Sequence, residues 1–156
     1  MSDLLIPRHI SRKGLYSAKF VIANSIVSYY YDYRVLSTLL FVLYITTLIH
    51  WNRLYRKSWI KTFDIIFAVS SILSVTLRDS RHFTPENADI WNKSISISIM
   101  AFVLNEYLLY YYLDQSKEST HHQSVNTHIL FLHILPNVTC MYCIISSAAQ
   151  LRRIQG

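Results

Sequence analysis

Apolar residues in this chain gather in four long runs, Val35–Trp51, Trp59–Leu77, Ile95–Leu113 and Thr127–Ala149, of 17, 19, 19 and 23 residues. A membrane-crossing helix needs about 20 apolar residues, within a range of about 17–25. The first run is at the short limit and draws on its tyrosine-rich flank, Tyr29–Tyr33, to complete a span. A soluble helix bundle would show polar outer faces every three or four residues; the stretch Leu39–Ile45 shows none. Ser94–Ile99 alternates like a strand. An open strand in lipid would leave backbone groups unpaired, so continuity with Met100–Leu113 makes this segment helical. The pattern predicts an all-α polytopic membrane protein, a four-helix transmembrane bundle over residues 35–156 with spans at about 35–51, 59–77, 95–113 and 127–149.

Residues 1–34 form the other predicted region. Residues 1–14 are polar. Residues 15–31 set Leu15, Phe20, Val21, Ile22, Ile26 and Val27 among Lys19, Asn24, Ser25 and Ser28. This pattern predicts an amphipathic helix lying in the membrane interface. Asp32 and Arg34 argue against a separate span there, because the next run starts at once.

Composition agrees with a lipid environment. Hydrophobic residues make up 52% of the chain and charged residues 15%, against about 25% charged in an ordinary soluble domain. Two glycines and three prolines leave few turn formers for a sheet-rich fold. Tyrosines and tryptophans gather at the run ends, at headgroup level. The net charge of +6 lies mostly in the loops and the N-terminal segment. It suits anionic headgroups. No basic tract interleaved with aromatics lies outside the runs, which argues against nucleic acid as a partner. With four spans both termini share a side carrying ten Lys and Arg, against five on the other. The positive-inside rule then predicts cytoplasmic termini. The Cys140-x-x-Cys143 pair falls inside the fourth run and reads as small core residues.

Each predicted helix carries a stripe of polar and small residues at helical spacing: Thr46 and His50; Asp64, Ser71, Ser74 and Arg78; Ser94, Ser98, Ala101 and Asn105; His133, Asn137, Cys140 and Ser147. Small and amide residues let membrane helices approach and bond. Ionisable groups call for more, since a charge at the bilayer centre costs about 2.5–3.5 kcal/mol. His50, Asp64, Glu106 and His133 all fall in one leaflet, toward the side of the first and third loops. Thr46, Asn105, Glu106 and Asn137 complete a predicted intramembrane polar cluster. Imidazole with carboxylate suits zinc, which hydrolytic sites hold with three protein ligands and an open water position.

Thr46-Thr47-Leu48-Ile49-His50 followed by Phe63-Asp64 resembles part of the signature of the CREST superfamily of membrane hydrolases, of alkaline ceramidase and adiponectin/progestin receptor type. The resemblance covers residues 46–64. It implies zinc, with His50, His133 and His128 as ligands, Asp64 as the catalytic residue that orients or activates water, and amide or ester hydrolysis on lipids. The departures are plain. The family has seven spans, and Thr46 stands where it has serine. Its last helix carries His-x-x-x-His, whereas His128 and His133 are five apart. On an α-helix that spacing turns the two rings about 140° from each other. The expected function is therefore a small integral membrane protein, a non-enzymatic accessory or scaffold subunit whose partners are the bilayer and other membrane subunits. The alternatives are a zinc-dependent lipid amidase or esterase and a proton-linked transporter or channel component built on Glu106 and His133.

Overall fold

A computed structural model describes residues 7–52, 59–112 and 117–155. Every element among them is helical: α1 (Arg8–Tyr30), α2 (Arg34–Asn52), α3 (Trp59–Leu77), a 3-10 turn (Asp79–His82), α4 (Pro85–Tyr112), α5 (Glu118–His128), a π-helical turn (Ile129–Ile134) and α6 (Leu135–Gln155). Three helical segments are long and apolar enough to cross a membrane: Arg34–Asn52, Trp59–His82 and the continuous rod Glu118–Arg153. They contain the first, second and fourth predicted runs. The third predicted run lies in α4, apart from Leu113, which falls outside the described residues. Ser94–Ile99 is helical, as its continuity requires.

The main departure from the sequence expectation is α1. It does not lie apart from the bundle; it packs antiparallel along the length of α2. Near the α1–α2 turn, the Ser25 hydroxyl donates to the Ser37 carbonyl at 2.8 Å. At the far end, Gly14 lies against the Trp51 ring, and a Cβ on Gly14 would run into the indole. Only glycine lets the helices approach this closely at that point. Of the polar positions that suggest an interfacial face, Lys19 is exposed, but Asn24, Ser25 and Ser28 are buried, and so are Ser11 and Ser17. Val21 shares one core with Leu36, Leu40 and Leu43 of α2 and Cys140, Cys143 and Ile144 of α6. Val21 thus ties α1 to helices on the far side of residue 34.

The turn between α1 and α2 explains how two helices fit where the sequence suggests one. Tyr33 N–H donates to the Ser28 carbonyl at 2.8 Å, and Asp32 N–H to the Tyr29 carbonyl at 3.2 Å. These two bonds close a Schellman motif. Asp32 takes the left-handed position, with φ of 64°. The Arg34 guanidinium holds its carboxylate at 2.7 Å.

Around the bundle, α3 packs on α2, α2 on α1, α1 on the α5–α6 rod, and the rod on α4. A hydrogen bond from the Trp91 indole N–H to Thr76 Oγ, at 3.1 Å, joins α4 back to α3 near the turn between them. The main core sits toward this end, where Val75, Phe83, Trp91 and Ile95 meet α2 and α6. At the opposite end Ile10, Trp51 and Val125 form a smaller core. The two cysteines are free and buried, and the Cys143 thiol donates to the Asn87 carbonyl at 3.2 Å.

Candidate functional site

The candidate site surrounds this smaller core, where α1 begins, α2 ends and the π-turn interrupts the rod. The turn has a local cause. Pro136 has no N–H, and its ring clashes with the carbonyl of the residue four before it, here Leu132. The rod widens over Ile129–Ile134, just ahead of that proline. A wide turn inserted into an α-helix is a recurrent feature of functional sites. Here it removes the angular objection to the His128/His133 spacing. With the extra residue absorbed, the two rings face one region, their centroids 5.2 Å apart.

Trp51 occupies that region. Its ring lies 5.2 Å from His128, 5.8 Å from His133 and 5.8 Å from His50, in each case at a steep edge-on angle. The three predicted ligand histidines thus gather around an indole. Their donor atoms do not close on a common point. Among the described residues, the one trio of His, Cys, Asp or Glu side chains with ligand atoms all within 4.8 Å is elsewhere. As arranged, the His50, His128 and His133 set does not fit a zinc ion, because the Trp51 ring fills the space between them.

Neighbours orient some of these groups. The Ser17 hydroxyl donates to the Gly14 carbonyl at 2.7 Å, and its oxygen meets His133 Nδ1 at 2.8 Å. Since the single hydroxyl proton goes to the carbonyl, Nδ1 donates and Nε2 keeps the lone pair. The Asp64 carboxylate accepts from the Thr47 hydroxyl at 2.7 Å and lies 3.1 Å from that of Thr46. Thr46 Oγ also faces the Leu43 carbonyl at 3.0 Å, so Thr47 is the firmer of the two donors. His50 is buried, and its Nδ1 has no hydrogen-bond partner among the described residues. The Trp51 indole N–H is likewise buried and finds no partner among the described residues.

The remaining predicted residues separate. Asn137 accepts from the Asn24 amide at 2.9 Å and donates to the His133 carbonyl at 2.7 Å, clasping α1 to the π-turn. Asn105 is buried on α4, and its Oδ1 has no partner among the described residues. The Glu106 side chain lies outside the described residues. Sequence reasoning missed Ser17, Thr47 and Trp51. Ser17 stood on a helix expected to lie apart. Trp51 reads as a belt residue ending a span. Pro136, three residues after His133, is the one signal that could have exposed the wide turn.

No family model, curated protein or solved structure matches the chain.

Proposed function

We propose that the protein is a non-enzymatic integral membrane subunit that packs its own helices against those of another membrane protein. The observation that carries this reading is α3. Only Ser71 and Val75 are buried along its 19 residues. Phe63, Ile66, Val69, Leu73 and Leu77 all stand exposed, and α3 rests mainly on α2. Membrane helices associate through close packing and interhelical hydrogen bonds, and α3 offers a whole apolar helix for such packing. The internal polar groups support a structural role as well. Asp64, His133, Asn24 and Asn137 are engaged by residues of this chain.

On this reading α1 joins the bundle as a fifth crossing element. Its 23 residues reach about 34 Å at 1.5 Å per residue, enough for a hydrocarbon core of about 30 Å. The termini then lie on opposite sides, in place of the shared cytoplasmic side expected from four spans. The subunit should co-purify from native membranes in mild detergent with another membrane protein in fixed ratio. A triple Ile66→Ala, Val69→Ala, Leu73→Ala variant should insert and fold but lose that companion. Recovery of the wild-type chain alone would refute the subunit reading.

The zinc-dependent lipid amidase or esterase is favoured by one observation, the π-turn. Across it, a spacing of five residues presents two rings much as His-x-x-x-His does on a regular helix. The reading requires the Trp51 ring to leave the centre of the cluster. One equivalent of zinc that persists in Glu118→Gln and disappears in His133→Ala would support it.

A further inference from the structure

We propose that His9, Glu118 and His122 form a binding site for a divalent transition metal of the zinc type, tying the start of α1 to the head of α5. These residues belong to helices more than a hundred positions apart in the chain, yet their donor atoms converge. His9 Nε2 lies 2.7 Å from Glu118 Oε1, and His122 Nε2 lies 3.6 Å from the same oxygen. All three ligand atoms fall within 4.8 Å of one another. Ligands of a four-coordinate zinc stand about 3.3 Å apart, given bonds of about 2.0–2.1 Å. The present spacing therefore closes around an ion with side-chain rotation alone. The side chains are free to make it, at 64%, 62% and 38% exposure for His9, Glu118 and His122.

Donor chemistry selects the ion. Two imidazoles with one carboxylate suit zinc and its first-row neighbours, whereas calcium and magnesium want oxygen ligands throughout. Three protein ligands leave a fourth position for water, so the ion would exchange with solvent. The backbone supports the arrangement, since α5 and α1 are packed together beneath it through Ile10 and Val125.

Lys13 sets the competition. Its Nζ lies 3.1 Å from His122 Nδ1 and 3.4 Å from Asn126 Oδ1. While the ammonium donates to Nδ1, the proton of neutral His122 stays on Nε2. Metal binding through Nε2 by a neutral imidazole requires that proton to move, by way of solvent, to Nδ1. Lys13 then gives up its bond to Nδ1 and keeps Asn126. The site is distinct from the histidine cluster around Trp51 and does not depend on the subunit reading.

The test is a titration of the full-length protein in detergent, stripped with chelator, using zinc alone and cobalt(II) as an absorbing probe. The wild type should bind one equivalent. Glu118→Gln and His122→Gln should each weaken binding about tenfold or more, with unchanged helical circular dichroism. Lys13→Met should tighten it, and a His50→Ala, His133→Ala double variant should leave it intact. Should Glu118→Gln misfold, His9→Gln provides an independent ligand deletion. The proposal is overturned if the wild type shows no saturable binding, or if binding survives the ligand variants and vanishes in the His50/His133 pair.

Discussion

At the residue scale, the buried histidine His133 depends on a serine from another helix. Ser17→Ala would leave Nδ1–H without an acceptor inside the bundle. Interhelical hydrogen bonds in membranes average about 0.6 kcal/mol, but a buried donor left unpaired costs about 1–3 kcal/mol. We expect a loss of about 1 kcal/mol, measured by unfolding in mixed micelles. Gly14→Ala should cost about 1–3 kcal/mol by forcing the Trp51 ring aside. Near-ultraviolet circular dichroism should change with it, because the indole is clamped by that contact. The polar positions inside the runs were legible as residues needing partners. Their partners were not. Thr46 was placed in the polar cluster, yet the firmer donor to Asp64 is Thr47, and which threonine faces α3 depends on how the helices cross.

Glu118 belongs to the same scale. The hydrogen bond from His9 holds its carboxyl below the usual carboxylate range, with His122 adding to the effect. It lies in the polar head of the rod, ahead of the apolar stretch. A carboxyl depressed by folding contributes above its unfolded value, about pH 4.3, and that contribution is lost as pH falls through the folded value. Acidification from pH 6 to about pH 3 should therefore lower the thermal midpoint of the wild type more than that of Glu118→Gln.

At the element scale, the α1–α2 turn shows what pattern reading can and cannot deliver. The polar–apolar order of residues 15–31 gave a helix, and α1 is one. It could not say whether the polar face meets water or other polar faces. Asn24, Ser25 and Ser28 look the same in either setting. Asp32 was the missed sign, a residue type that tolerates the left-handed position ending a helix. The test follows from its φ. Asp32→Val should cost about 1–2 kcal/mol through backbone crowding. Asp32→Gly should be tolerated, losing only an exposed ion pair. Equal stability of the two variants would contradict the turn geometry.

At the scale of the whole molecule, the all-helical character of the described residues and the bounds of the first two runs followed from hydropathy, because long apolar runs with few turn formers favour helices. The arrangement of helices did not, since apolar faces alone discriminate poorly among neighbours. Polar contacts set it: Asn24 with Asn137, Ser94 with Thr139, Asn87 with Ser147. Protease protection in sealed vesicles tests the resulting topology. Tags at the two ends should show opposite accessibility if α1 crosses, and the same accessibility if it lies in the interface.

The wide turn at Ile129–Ile134 also bears on how motifs ought to be counted. Histidines five apart point away from each other only when counted in residues. Counted in turns, with Pro136 opening the helix, they are neighbours. Spacing and proline should therefore vary together among chains of common descent. Those with the histidine positions five apart should keep a proline three places on, and those with the histidines four apart should lack it.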